Sequence, residues 1–234
     1  MRACLLLGVV LTLICSHRAA AGIVMTGTRV IYPADVREKS VQLRNTDARP
    51  YIVQIQTDSG TPGDARGDDA FILTPPIFRM EPNSGQSVRL RYVGRALPQD
   101  RESLFYLSFT QLPAIKAGEQ GGNQLILAVT NRVKVFWRPR ALTAGTEEIA
   151  QGLKFSLSGS NIRVSNPFGL FATVRRASLA INGREVRLAE SAMIAPKSTA
   201  EWRPSAPVSR LRGARLRLVL VNDYGSDIVI ERVL

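Results

Sequence analysis

Short apolar segments that alternate with polar residues recur along this chain, separated by Gly, Pro, Asn and Asp. Clear examples are residues 41–45, 51–55, 87–92 and 104–108. Alternation with a period of two is typical of β-strands that bury one face. Because no window of helical length holds a clean 3.6-residue period, the sequence predicts an all-β protein.

Two series of such segments divide the chain. About seven predicted strands lie within roughly 120 residues before Pro139, which matches an immunoglobulin-like β-sandwich. Residues 141–152 are small and polar and predict a linker. A second series follows to the end of the chain and contains Asn182–Gly183, a strong signal for a two-residue hairpin. We therefore predict two all-β domains, at 22–143 and 150–234.

The first 21 residues have the pattern of a secretory signal peptide. A short basic start precedes an apolar run at 5–14, and Ala19–Ala21 matches the small-residue cleavage rule. The run is shorter than the ~18 to 20 apolar residues that a spanning helix needs. The bulky Ile14 disfavours lipidation at Cys15. We expect an exported chain that begins at Gly22 and has no integral membrane segment.

Both cysteines, Cys4 and Cys15, and the single histidine, His17, lie in that leader segment. The mature chain would contain neither residue type. This excludes a Cys nucleophile, a Ser-His-Asp triad, a Cys/His zinc site and a structural disulfide. We expect no metal, no cofactor and no enzymatic activity.

The remaining chain is basic. Arg2 and Arg18 fall in the leader, so 29 of the 31 Lys and Arg residues remain against 19 Asp and Glu. The arginines are scattered over predicted strands and turns, without a basic helix, a dense basic tail or a nucleic-acid motif. We therefore predict no nucleic-acid partner, and most of these charges indicate a solvated basic surface.

Four motifs carry specific information: Thr28–Tyr32, Thr74–Arg79, Leu97–Tyr106 and Asn131–Pro139. Together they resemble the PapD-like periplasmic pilus chaperones. The resemblance implies two immunoglobulin-like domains set at an angle, like a boomerang, with a cleft between them. It implies a periplasmic chaperone that binds pilus subunits by lending them a strand, prevents their aggregation and delivers them to an outer-membrane usher.

The strand predicted from Gln124 to Arg138 places Leu125, Leu127 and Val129 on one face. Taken alone, such a triplet is typical of a core strand. The resemblance implies instead an exposed edge strand that fills the groove of a subunit whose immunoglobulin fold lacks its last strand, which is a case of β-strand addition.

The resemblance also implies that Arg29 and Lys134 lie at the base of the cleft and bind the C-terminal carboxylate of the subunit. Two convergent cations provide charge-assisted hydrogen bonds to such an anion. Taken alone, Lys134 is typical of a snorkelling surface lysine. On an ideal strand it faces away from Leu125, Leu127 and Val129, so a bulge, a twist or use of both faces is implied.

A third set implied by the resemblance is an inter-domain salt-bridge network of Glu102, Arg138 and Asp223. Such a network would set the angle of the cleft more than the stability of either domain. A weaker match concerns a surface that contacts the usher, with the residues Ile52, Gln54, Thr74, Pro76, Arg89 and Leu112.

The segment from Pro113 to Gln124 is short, rich in Gly and not flanked by cysteines. It resembles the short-loop branch of the family, which is associated with rod-like or thick pili. Two other classes stay open from the residues alone. One is a secreted immunoglobulin-like adhesin or binding module, and the other is a Ser-Lys hydrolase that uses Ser103 and Lys134, although no nucleophile elbow surrounds Ser103.

Overall fold

The computed structural model describes residues 22–60, 70–94, 96–114, 125–181 and 183–234. The predicted leader, 1–21, and most of the predicted short loop lie outside the described residues. The first nine strands are β1 Ile23–Met25, β2 Arg29–Pro33, β3 Lys39–Asn45, β4 Tyr51–Asp58, β5 Phe71–Thr74, β6 Ile77–Met80, β7 Gly85–Tyr92, β8 Ser103–Pro113 and β9 Val129–Arg138. Then follow helix α1 Thr146–Gly152 and strands β10 Lys154–Ser158, β11 Asn161–Asn166, β12 Ala172–Ile181, β13 Arg184–Ile194, β14 Ser198–Trp202, β15 Arg215–Val221 and β16 Asp227–Val233.

The first sandwich packs a sheet of order β1-β3-β7-β5 against a sheet of order β2-β9-β8-β4-β6. Its core follows from the alternation in the sequence. In β4, for example, Val53 and Ile55 are buried while Gln54 between them is exposed. An aromatic cluster closes one end, where Phe71 meets Tyr32 and Phe105 edge to face at centroid distances of 5.4 and 5.2 Å.

The second sandwich packs β10-β11-β14 against β13-β12-β15-β16 around a separate core. β12 and β13 pair as the predicted hairpin requires, since Ile181 at the end of β12 lies opposite Arg184 at the start of β13, while Asn182 itself lies outside the described residues. The prediction of a linker at 141–152 is wrong for its second half. Residues of α1 bury Ile149 and Ala150 in the second core, so this segment belongs to the second sandwich.

The last strand of the first sandwich, β9, is only partly covered at one edge. The strand β8 pairs with it along its whole length, from Val129 opposite Gln111 to Trp137 opposite Ser103. On the other side β2 runs parallel to it and pairs only with Lys134–Arg138. Among the described residues, no strand pairs with the N-terminal half of β9 on this side, and such an edge is a template for another strand.

The predicted architecture of two immunoglobulin-like β-sandwiches is confirmed. No helix in the described ranges is both long enough and apolar enough to cross a membrane.

Candidate functional site

Arg29 and Lys134 are brought side by side, although they are far apart in the chain. They are direct register partners in the parallel pair β2–β9, so their side chains leave the same face of the sheet. Burial and then the charge of Arg29 lower the pKa of Lys134. Burial also lowers the pKa of Arg29, against the attraction of Asp223.

Neither Arg29 nor Lys134 forms an ion pair with a carboxylate in the described residues, although Asp223 and Glu102 attract Arg29 from a distance. Arg29 donates from Nη1 to the carbonyl oxygen of Val221 at 3.2 Å, and its buried Nε has no hydrogen-bond partner in the described part of the chain. Within the same residues no carboxylate forms an ion pair with Lys134. A pair of partly desolvated cations of this kind favours an anion, and a carboxylate would satisfy both.

The two faces of β9 have different tasks. Val135 and Trp137 point into the first core, whereas Lys134, Phe136 and Arg138 lie on the opposite face. The register between β8 and β9 runs without a bulge. Within β9, Val129 and Lys134 therefore lie on opposite faces without a bulge between them, whereas Leu125 and Leu127 precede the strand.

The apolar triplet is exposed, but only its last member lies in the strand. Leu125 is 85% exposed, Leu127 63% and Val129 46%, and Ile126 between them is 50% exposed. The strand prediction from Gln124 is wrong at its start, since β9 begins at Val129. The β8–β9 ladder ends at the pair Gln111–Val129, and β8 continues to Pro113 paired only with β4, so residues 125–128 have no ladder partner among the described residues.

A run of exposed large apolar side chains next to an uncovered sheet edge is unusual for a soluble protein. In the described residues, this run continues the alternation of β9 past the end of its ladder. In this part of the described structure, the backbone edge of β9 and the apolar side chains before it are both exposed, and β-strand addition uses both features.

Glu102, Arg138 and Asp223 meet between the two sandwiches. The Nε of Arg138 donates to Glu102 Oε1 at 2.7 Å, and its two terminal nitrogens donate to the oxygens of Asp223 at 2.6 and 2.8 Å. Glu102 is only 4% exposed, and its second oxygen accepts a hydrogen bond from the N–H of Phe171 at 2.8 Å. The network thus joins a strand of the first sandwich to two parts of the second.

The electrostatics of this network are those of a buried ion pair with a solvated third member. Burial raises the pKa of Glu102, and Arg138 and the Phe171 N–H oppose that effect. Burial alone would lower the pKa of Arg138, but the hydrogen bonds and charges of Asp223 and Glu102 outweigh it and raise that pKa. Docking of the sandwiches adds the Phe171 N–H and Asp223 to the pair that Glu102 and Arg138 already form within the first sandwich.

Sequence reasoning missed several residues of this interface. Phe136 is 3% exposed, belongs to neither core and packs on Phe171 with ring centroids 5.5 Å apart. Lys197 donates to Asp100 at 2.6 Å across the same gap. The one signal for Phe136 was its place on the polar face of β9, where a large apolar residue needs a partner outside its own domain.

The six residues of the predicted usher surface divide into two groups. Ile52 pairs with Leu112 on the outer face of one sheet, and Gln54 follows on the same face. Thr74 and Arg89 pair with each other on the other sheet. Pro76 lies between β5 and β6, and its carbonyl accepts a hydrogen bond from Ile55 at 2.8 Å, so the two groups meet at one corner. Ile77, opposite Gln54 and 59% exposed, adds an apolar residue that sequence reasoning missed.

Ser103 and Lys134 do not come together. Ser103 pairs with Trp137 and Lys134 pairs with Tyr106, which is three register positions away, about 10 Å along the strand. Their side chains also leave opposite faces of the sheet. Within the described ranges, no three His, Cys, Asp or Glu side chains cluster in a way that could hold a metal ion.

Both domains match models of known protein families. A family model described as "Pili and flagellar-assembly chaperone, PapD N-terminal domain" matches residues 22–143, and one described as "Pili assembly chaperone PapD, C-terminal domain" matches residues 148–231. The chain is 36% identical over 218 residues to the chaperone protein MrkB of Klebsiella pneumoniae, with 91% of each chain covered. It is 35% identical over 222 residues to the probable fimbrial chaperone SfmC of Escherichia coli K12, covering 93% of this chain and 90% of that one.

Two solved structures extend the likeness to three dimensions. The YadV chaperone superposes with a TM-score of 0.77 at 31% identity and covers 91% of this chain and 99% of its own. The CupB2 chaperone of Pseudomonas aeruginosa superposes with a TM-score of 0.74 at 29% identity and covers 90% of this chain and 100% of its own.

Proposed function

The chain belongs to the PapD-like family of pilus-assembly chaperones, and we propose that it captures unfinished pilus subunits by donating residues 125–129 to them. The observation that carries this proposal is the exposed run from Leu125 to Val129 beside the uncovered edge of β9. A subunit that lacks its last strand has the opposite defect, an apolar groove open to water. Donation of the strand covers both surfaces without covalent chemistry.

The apolar side chains provide most of the affinity. Full burial of Leu125, Leu127 and Val129 would contribute on the order of 1.5 to 3 kcal/mol each. Ordering of residues 125–128 and the loss of translational freedom oppose this gain, so the net affinity is smaller than that total. Backbone hydrogen bonds to the uncovered half of β9 then set the direction of the added strand.

Arg29 and Lys134 set the register of that strand. The C-terminal carboxylate of the subunit is a fixed anion at the end of its last strand, and these two cations are adjacent, partly buried and without an ion pair in the described residues. A carboxylate bound there satisfies both and locks each donated side chain opposite one pocket of the groove. The affinity therefore depends both on a free C-terminal carboxylate in the subunit and on its position along the strand.

Delivery to an outer-membrane usher is the next step of this function. The corner of the first domain with Ile52, Gln54, Leu112 and the exposed Ile77 lies on the outer face of the sheet, where it stays available beside a bound subunit edge. An apolar patch with a polar rim is typical of a protein docking site. The place of action is the periplasm, reached through the leader at 1–21, and the protein is not an enzyme.

Periplasmic co-purification tests the proposal. The tagged protein should bring down pilus subunits, identified by mass spectrometry, at about one subunit per chaperone. Synthetic peptides with the sequence of the last strand of the captured subunit should bind more tightly with a free C-terminal carboxylate than with an amide. If no subunit accompanies the protein, or if a secreted glycan or host ligand binds it instead, the reading as an adhesin or binding module replaces this one.

A further inference from the structure

The turn between β15 and β16, residues 222–226, is stiffened by its own hydrogen bonds. The side-chain oxygen of Asn222 accepts from the N–H groups of Tyr224 at 3.0 Å and Ser226 at 2.9 Å. The N–H of Gly225 donates to the carbonyl of Asn222 at 3.0 Å. These bonds form an Asx turn, which favours the observed backbone conformation of the segment.

This turn of the second domain touches the first domain at the carboxylate site. The carbonyl of Val221, at its start, accepts the hydrogen bond from Arg29. At its other side, a β-carbon added to Gly225 would lie 2.4 Å from Thr28 Oγ1, and Gly225 has a φ of +86°. A side chain at 225 would force the turn or the Thr28 hydroxyl to move, and the positive φ also favours glycine there. Because Thr28 and Arg29 are consecutive, the turn contacts both the charged residue and its neighbour.

Arg29 has few other contacts that hold its guanidinium. Its Nε is buried without a hydrogen-bond partner in the described residues, and the ring of Phe136 lies 6.0 Å from its Cζ. An arginine side chain has many rotamers, and binding is weaker when an unordered side chain must be fixed. The hydrogen bond to the Val221 carbonyl therefore sets the position of the Arg29 guanidinium before an anion binds.

We propose that Gly225 is a positioning residue for subunit binding: it lets the turn of the second domain seat on Thr28, and this seating sets the Arg29 guanidinium against the C-terminal carboxylate of the subunit. The inference rests on the proposed function above. It adds the second domain to the carboxylate site, although no side chain of that domain need touch the subunit there. A β-carbon at Gly225 pushes the turn away and takes the Val221 carbonyl from Arg29.

Gly213→Ala is a matched control for Gly225→Ala. Gly213 lies in the same domain with a nearly equal φ of +81°, but nothing lies within 4 Å of a β-carbon added there. Both variants thus carry the same backbone strain, and only one carries the contact with the first domain. Binding would be measured with synthetic peptides of the last strand of the captured subunit, one ending in a free carboxylate and one in an amide.

We expect Gly225→Ala to weaken binding of the carboxylate peptide by about tenfold and that of the amide peptide by no more than about twofold. Gly213→Ala should change neither by more than about twofold. Adding Thr28→Ala to Gly225→Ala removes the clashing hydroxyl and should restore most of the lost affinity. Thr28→Leu enlarges the same contact from an exposed position of the first domain and should reproduce the loss, so the test stands even where Gly225→Ala folds poorly.

Equal losses for both peptides, or a Thr28→Leu variant with the carboxylate preference of the wild type, would overturn the positioning role. Failure of the proposed function looks different. In that case the wild type itself shows no preference for the carboxylate, and Lys134→Ala loses nothing. A loss with Lys134→Ala together with none in Gly225→Ala and Thr28→Leu rejects only the inference made here.

Discussion

Replacing Arg138 with leucine should undock the two domains, because it leaves Glu102 as an unpaired buried carboxylate. Glu102 is 4% exposed and would keep only the hydrogen bond from the Phe171 N–H. Breaking a buried ion pair by removing one partner costs about 3 to 5 kcal/mol. Asp223, whose side chain is 44% exposed, returns to water and adds little to this cost.

Protonation of Glu102 sets an upper limit on the free energy of unfolding that Arg138→Leu can cost. From its ordinary pKa of 4.5, protonation at pH 7 costs about 3.4 kcal/mol, since each pH unit is worth about 1.36 kcal/mol. The expected loss for Arg138→Leu is therefore about 3 kcal/mol at pH 7. In the folded variant the pKa of Glu102 is raised above its unfolded value, so stability is retained below pH 4.5 and lost as the pH rises. At pH 5 the cost of protonating Glu102, and with it the largest expected loss of stability, falls to about 0.7 kcal/mol.

The two tryptophans provide an assay for each domain. Trp137 is buried in the first core and Trp202 in the second, and the chain has no other tryptophan. Urea unfolding in Trp137→Phe and Trp202→Phe backgrounds reads the domains one at a time. In the wild type the two transitions should lie close together, and with Arg138→Leu they should separate, because the lost free energy is that of docking.

Two further variants test the physical reasoning. Glu102→Gln in the Arg138→Leu background removes the buried charge and should recover most of the loss. Arg217→Leu removes the exposed pair Arg217–Glu231, whose side chains are 53% and 51% exposed, and should cost less than about 1 kcal/mol. The reasoning is refuted if Arg138→Leu costs no more than Arg217→Leu, or if its cost is the same at pH 5 and pH 7.

Three further predictions concern binding. Leu127→Glu should abolish subunit capture, because it places a charge in an apolar groove, while urea unfolding of the free protein stays unchanged. The control Val233→Glu, at a site 66% exposed in the other domain, should change neither capture nor unfolding. If Leu127→Glu unfolds the free protein, Leu127 is a core residue and not a donated one. Lys134→Met should weaken subunit binding in pull-down, and it should raise the free energy of unfolding at pH 7 by up to about 1 kcal/mol. The gain follows because the lowered pKa of Lys134 is a penalty that is present at neutral pH and relieved as the pH rises towards 10.5, so unfolding measured at high pH should show no gain. Leu112→Asp should leave subunit capture intact and weaken binding of the purified complex to the usher; equal usher binding would remove the corner patch from the delivery step.

The local sequence pattern was enough to predict most strands of this protein and the face that each one buries. The period-two alternation identifies most strands and their buried faces, because successive side chains of a strand point to opposite sides regardless of its partners. The parity of Lys134 against Leu125, Leu127 and Val129 left a bulge, a twist or use of both faces open, and the regular register of β9 places Val129 and Lys134 on opposite faces. The motifs around Arg29 and Lys134 named the residues of the proposed carboxylate site through their resemblance to a family.

Pairing between distant segments decided the rest. The sequence pattern continued the strand back to Gln124, but a strand in a sheet is defined by its pairing, and the β8–β9 ladder begins only at Val129. Residues 146–152 read as polar linker, and only the second core shows why Ile149 and Ala150 make them a helix. The hydrogen bond of Glu102 with the Phe171 N–H and the approach of Gly225 to Thr28 have no local signal at all. Such contacts depend on how two domains dock, which no periodicity within one strand encodes.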